Sequence, residues 1–230
     1  MINTLDVING FEPSCKENIV IIGQPRSGKT RMLQIVLNDV IKSGKLSKLV
    51  IFDTKYQEYS HLFSHEQKIH VFGMPPEYSS EARGEWIVNL FNQHSDKFLT
   101  ISPLEQENTS CLFVVDDYVD DYENPKHGDA FYDKLLASHT TNASVVLSAQ
   151  FPHKINKRIF SNTREFLIGK LNGKSKDFTI LKNLYEDYSG VGNDGFDQFI
   201  STLSQLDTGY FFHFYSNAKN EKKIELVNTL

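Results

Sequence analysis

Only two cysteines, Cys15 and Cys111, occur in the 230 residues. Two thiols cannot build a disulfide framework or a four-ligand zinc site. Such sparing use fits a reducing compartment. Cys111 opens an apolar run and is expected to be a buried thiol. No apolar run approaches the roughly 18 residues that a membrane helix needs. The first twenty residues hold acidic groups and no basic stretch ahead of an apolar one, the order a secretory signal requires. Positive charge is short as well: 24 Lys+Arg against 29 Asp+Glu leaves −5. A protein that coats nucleic acid through bulk charge is basic, so this chain could meet DNA only through a local patch. The expectation is a soluble, intracellular protein with no membrane-spanning segment.

What is present is ordinary globular material. Hydrophobic residues make up 40 %, charged residues 23 % and aromatics 12 %, which excludes a disordered or collagenous chain. The length predicts a single domain with embellishments, 1–230, able to bury about 70 % of the extended chain's surface. No internal repeat shows at a period of 20 to 50 residues.

Short β-branched runs alternate with longer segments of helical spacing. Asn18–Gly23, Lys48–Asp53, Lys68–Gly73, Cys111–Asp116, Ala143–Gln150 and Glu165–Gly169 read as strands. Their apolar runs are continuous rather than alternating, as expected for strands covered on both faces. Between them, in Thr30–Ser43, Met32, Leu33, Ile35, Val36, Leu37, Val40 and Ile41 recur at helical spacing, with Gly44 as C-cap. Ser80–Phe98 reads as a helix with Trp86, Ile87, Leu90 and Phe91 inward. This rhythm predicts an α/β fold with a central, mostly parallel sheet flanked by helices. The core spans about 15–172. In the extension, about 173–230, Ser175–Tyr188 and Phe196–Leu206 read as helices. Gly209–Tyr215 and Lys223–Val227 read as an antiparallel hairpin at the sheet edge. The segments 117–129 and 151–163 read as polar loops.

The strongest chemical signal is Gly23-Gln24-Pro25-Arg26-Ser27-Gly28-Lys29-Thr30, which matches G-x-x-x-x-G-K-[ST]. A buried strand runs into it and an amphipathic helix leaves it, the context that separates a phosphate-binding loop from a plain glycine-rich turn. Glycines let the backbone amides turn inward as an anion nest, and the helix terminus adds partial positive charge. Lys29 can reach the β- and γ-phosphates of ATP, and the Thr30 hydroxyl can ligate Mg²⁺. Leu112–Asp117 is an apolar strand ending in two acids. An acid at the end of a strand beside the loop strand can hold the phosphate-bound metal, and Asp116 fits that role. Asp117 could polarise the attacking water as general base. Gln150 ends the strand Ala143–Gln150 and could sense the γ-phosphate, while Ser148 points away from its neighbours. The chain is thus predicted to be a P-loop NTPase.

In this order, with Asp53, Lys55, Glu58 and Tyr59 after the second strand, these residues resemble the HerA–FtsK superfamily of DNA-pumping ATPases. The short chain, Asp-Asp rather than Asp-Glu, and Gln150 followed by Asn162 are most similar to genome-packaging ATPases of poxviruses, virophages and membrane-containing icosahedral phages. The resemblance covers about 15–172 and leaves the tail unmatched. It implies an ATP-hydrolysing motor that drives double-stranded DNA into a preformed viral capsid. It also implies a ring-shaped homo-oligomer, capsid or portal-vertex partners, and work in the host cytoplasm or virus factory, or at the packaging vertex. An arginine acting across the ring is part of this pattern. Relatives place one where this chain has Phe160, so Arg158 is the first candidate and Arg164 the second.

Plainer readings stand beside these. The histidines 61, 65 and 70 have no metal-site spacing with a cysteine and read as surface groups. The stretch His153–Arg158 is a basic patch that reads as a solvated loop or as one facing DNA or a neighbouring subunit. Tyr210, Phe211, Phe212, Phe214 and Tyr215 read as core or interface. Two other functions remain open on the sequence: a P-loop nucleoside kinase, which needs an arginine-rich lid at 151–164, and a nucleotide-dependent assembly protein that pumps nothing.

Overall fold

The computed structural model describes residues 18–42, 46–53, 58–59, 69–74, 86, 89–90, 110–118, 143–155, 157–172, 175–190, 195–216 and 220–229. Expectations for Cys15, Gly44, Lys55, His61, His65 and most of 80–98 and 117–129 lie outside these residues. Eight strands form one sheet: β1 (Ile19–Ile22), β2 (Leu46–Asp53), β3 (Ile69–Gly73), β4 (Ser110–Tyr118), β5 (Ala143–Ala149), β6 (Glu165–Gly169), β7 (Tyr210–Ser216) and β8 (Lys222–Asn228). Their order is β3-β2-β4-β5-β1-β6-β7-β8. The first six run parallel, and β7 and β8 add antiparallel at one edge. The fold is therefore the expected P-loop α/β architecture with a C-terminal edge hairpin.

Parallel strands need crossover connections, and these place helices on the faces. One face carries α1 (Lys29–Lys42), which buries Met32, Leu33, Val36, Leu37 and Val40 against Ile19, Ile21, Ile51, Val114 and Leu167. The opposite face carries a 3₁₀ turn (Pro152–Lys154), α2 (Lys157–Ser161), α3 (Ser175–Ser189) and α4 (Phe196–Gln205). That layer is aromatic: Phe199 meets Phe212 and Phe214 edge-on, and Tyr188 meets Phe166 and Phe214 edge-on. Trp86 and Leu90, the described part of the predicted 80–98 helix, also pack on this face. Phe211, Phe212 and Phe214 are buried, as the core reading of that aromatic run expected.

Two expectations need correction. Residues 151–163 are not a plain loop, because Ile155 and Ile159 supply buried anchors that fold the stretch into a 3₁₀ turn and a short helix. Asp117 and Tyr118 belong to β4, which continues through a bulge between Val115 and Tyr118 rather than stopping at Asp116. Among the described residues no helix is long and apolar enough to cross a membrane.

The antiparallel junction is packed to its limit at Gly169, where an added Cβ would lie 2.7 Å from the ring of fully buried Phe211. Gly169→Ala is expected to destabilise the protein by about 1–3 kcal/mol in urea unfolding. Adding Phe211→Leu should recover part of that loss; a strictly additive double variant would show that the clash is not the cause.

Candidate phosphate-binding and hydrolytic site

Six parallel strands bring six C-terminal ends to one edge, and the sites of such sheets form outside that edge. There β1 runs into the loop 23–30. Gly23 N–H donates to the Ala149 carbonyl (3.1 Å) and Gln24 N–H to that of Lys170 (2.9 Å), so both flanking strands hold the loop's entry. The loop then turns through left-handed backbone at Arg26 (φ 66°) and Gly28 (φ 95°). Gly28 is required twice over, since a Cβ would also approach the Gly209 backbone to 3.1 Å. The first bond of the α1 ladder runs from Met32 N–H to the Gly28 carbonyl, 2.9 Å. The amides ahead of it point out of the helix end.

Lys29 is 8 % exposed and folds back over the loop, donating to the carbonyls of Gly23 (2.7 Å) and Gln24 (3.1 Å). It is thus not a solvent-facing cation but part of the loop's own framework. The cleft beside it has a volume of about 470 Å³, and its walls include Lys29, Thr30, Arg31, Asp117, Gln150 and Thr208. Ligand pockets commonly fall in this size range.

The two aspartates differ sharply. Asp116 is 1 % exposed. Its Oδ1 accepts from the Ser148 hydroxyl (2.5 Å) and its Oδ2 from the Tyr59 phenol (2.9 Å). Burial, and then the charge of Asp116, push the Tyr59 phenol far above its ordinary value, so it stays a donor. Asp117 has left-handed backbone (φ 54°), and its N–H donates to Ser148 Oγ (3.0 Å). In a regular strand, consecutive side chains point to opposite faces. The bulge breaks that alternation and lets Asp117 line the cleft, where Gln150 Nε2 donates to its Oδ1, 2.9 Å. The structure therefore brings together Lys29, Thr30, Asp117 and Gln150, with Asp116 immediately behind.

One spacing differs from expectation. Gln150 does end the strand next to β1, but β4 is not adjacent to β1, because β5 lies between them. Asp116 thus stands two strand spacings, about 9–10 Å, from the loop strand. That leaves room for a phosphate and a hydrated metal. The sequence reading also gave no role to Tyr59, to Ser148 beyond its direction, or to Thr208. Only the Tyr59 position carried a signal, inside the stretch Asp53–Tyr59. Thr208 Oγ1 donates to the Arg26 carbonyl (3.0 Å) and Gly209 N–H to that of Ser27 (3.0 Å), so the C-terminal extension braces the loop.

Arg158 and Arg164 are exposed and neither lines this cleft. Arg164 lies just before β6, at the opposite edge, where Asn18 Nδ2 bonds the Asn162 carbonyl (3.3 Å). In the basic stretch, His153 is only partly exposed and pairs with fully buried Asp177 through Nδ1 (2.7 Å) and its backbone N–H (3.1 Å). Burial pushes the Cys111 thiol up to about 12, so it has no thiolate chemistry near neutral pH.

The donor set fits a nucleotide. The buried Ser27 Oγ has no hydrogen-bond partner among the described residues, and the loop concentrates amides and an ammonium at a helix end. Among the described residues no group of three or more His, Cys, Asp or Glu could cage a metal alone. One or two carboxylates that share the ion with phosphates suit Mg²⁺.

No family model matches the chain, and the comparison with curated proteins gave no match. Solved structures do match. The genome-packaging NTPase B204 of Sulfolobus turreted icosahedral virus 2 aligns in its sulfate complex with TM-score 0.61 and 15 % identity, covering 95 % of this chain and 98 % of that one. Its ATP-gammaS complex aligns with TM-score 0.60 and 15 % identity, covering 93 % and 98 %. The cytoplasmic domain of the type VII secretion ATPase EccC of Thermomonospora curvata aligns with TM-score 0.56 and 13 % identity, covering 93 % of this chain and 24 % of that one. At these identities the likeness establishes the fold. It also extends past residues 15–172, so the tail has a structural counterpart.

Asp117→Asn is expected to retain Mg-ATP binding while kcat falls by about 10²–10⁴, the usual worth of a general base. Lys29→Ala should lose nucleotide binding and also some thermal stability, because the loop carbonyls lose their donor. Equilibrium binding and turnover on both variants check this; loss of binding in Asp117→Asn would reverse the division of roles.

Proposed function

We propose that the protein is an ATP-hydrolysing motor that translocates double-stranded DNA into a preformed viral capsid. The observation that carries this reading is the near end-to-end correspondence with a packaging NTPase, 95 % of this chain and 98 % of that one, joined to a complete set of phosphate-handling groups on one sheet edge. The same fold also serves a secretion ATPase, and a fold alone does not choose a cargo. EccC, however, is several times longer, with only 24 % of its chain covered. The kinase alternative needs an arginine lid over the cleft. Residues 152–154 and 157–161 instead form a 3₁₀ turn and a short helix packed on the far face, and none of these described residues lines the cleft.

In this reading the loop Gly23–Thr30 binds the phosphates of ATP, and Lys29 leaves its two carbonyls for the γ-phosphate. Thr30 and Asp116 would hold Mg²⁺, which would supply neutralisation of the charge that develops on the phosphates. Asp117 takes a proton from the attacking water, with Gln150 fixing the carboxylate. Arg158 acts from a neighbouring subunit in a homo-oligomeric ring, since it does not face its own site. The exposed Lys157 and Arg158 form a local positive lining for DNA on an acidic protein. The reading takes 1–230 as one ATPase domain, supported by β7 and β8 extending the same sheet. It works in the host cytoplasm or virus factory, with capsid or portal proteins at the packaging vertex.

The test measures ATPase rate with and without long duplex DNA, alongside the mass of the assembly in solution. Stimulation that depends on oligomerisation is expected. Mixing Lys29→Ala with Arg158→Ala subunits, each inactive alone, should restore partial activity at boundaries that pair an intact Lys29 with an intact Arg158. No recovery at any ratio, with both variants still assembling, would remove Arg158 from the trans role. Arg158→Ala that keeps basal activity but loses DNA stimulation would assign it to DNA contact.

A further inference from the structure

Asp116 is held from two sides by groups that no phosphate chemistry requires. Tyr59 follows β2, 57 residues before Asp116, and reaches across to β4. It is fully buried, and its own N–H is anchored on Asp53 Oδ2 (3.3 Å) at the end of β2. The phenol therefore has little freedom to turn away. Ser148 comes from β5, on the other side of β4. Its hydroxyl donates to Asp116 Oδ1 and accepts the Asp117 N–H. Each carboxylate oxygen thus receives a donor fixed on a neighbouring element. A carboxylate with one fixed rotamer is presented to a ligand at less entropic cost than one that must first be ordered.

We propose that Tyr59 is a positioning residue for the metal. Its phenol, together with the Ser148 hydroxyl, holds the Asp116 carboxylate ready for the Mg²⁺–water shell that accompanies the nucleotide. The proposal rests on the ATPase reading and goes beyond it, because it makes metal coupling depend on a segment outside the phosphate loop and the acid pair. Partners of metal-ligating groups are typically worth 10–100-fold in metal affinity. Tyr59→Phe keeps the ring and its packing and removes only the donor.

The experiment titrates ATPγS binding by calorimetry on the full chain, first in EDTA and then across a Mg²⁺ series, with each variant's unliganded melting temperature recorded. Wild type should bind more tightly as Mg²⁺ rises. Tyr59→Phe should bind within about twofold of wild type in EDTA, while its Mg²⁺ midpoint rises 10–100-fold. Asp116→Asn should lose the metal-dependent gain, and adding Tyr59→Phe to it should change nothing further. A folded Tyr59→Phe with the wild-type midpoint overturns the proposal. So does a loss of equal size with and without metal, which is the mark of a merely structural role. If Tyr59→Phe does not fold, Ser148→Ala removes the other donor from the same carboxylate and its midpoint decides in the same way. Wild type that binds no ATPγS at any Mg²⁺ concentration would instead overturn the ATPase reading.

Discussion

The ladder that pins β1 between β5 and β6 sets the position of every polar group in the cleft. Ile19–Ile22 are paired on both sides, in register with Val146–Ala149 and with Glu165–Ile168. Because all three strands run the same way, the chain must leave β1 at the edge where Gln150 and Lys170 also emerge. The phosphate loop is therefore not a flexible appendage. Its first amides are bonded to the ends of both neighbouring strands, and its far side rests on Gly209.

Charges at this edge sit on neutral dipoles. The Lys29 ammonium rests on two carbonyls, and the Asp116 carboxylate on two hydroxyls. Buried charges without such partners would be costly. The ammonium belongs to the loop and the carboxylates to β4, so the site sets a cationic group at the loop and acidic groups across the cleft. A nucleotide polyphosphate and its counter-ion complement that polarity. The bulge at Asp117 adds a strained backbone point where the second acid turns into the cleft, and strain of this kind clusters at functional positions.

Most of the fold was legible because its signals are local. Continuous runs such as Ile19–Ile22 and Cys111–Val115 announce strands covered on both faces, and Met32–Val40 announces a helix with one buried stripe. The loop was legible because glycine, lysine and threonine stand at a spacing that only phosphate binding requires. Strand order was not, since no residue in β4 or β5 states which of them lies beside β1. That choice is made by the packing of faces far apart in sequence. The same limit hid the partners of Asp116. Ser148 reads as one polar residue in a strand, and Tyr59 as one aromatic in a polar stretch after the second strand; only pairing brings them to one carboxylate. The helix at Lys157–Ser161 was missed because two isolated isoleucines are a weak periodic signal against a polar background. The bracing by Thr208 and Gly209 had no local signal at all.

That bracing has a consequence for how the protein is made. The phosphate loop at 23–30 is synthesised well before the surfaces that shape it: β5 at 143–149, β6 at 165–169 and the turn at 208–209. A nascent chain holding only the loop and α1 has no neighbours for β1 and nothing against which Gly28 can close. Contacts of such long sequence separation form slowly. The loop's final shape is thus deferred until residue 209 has been made, and chains that stop short of it lack the surface on which Gly28 closes.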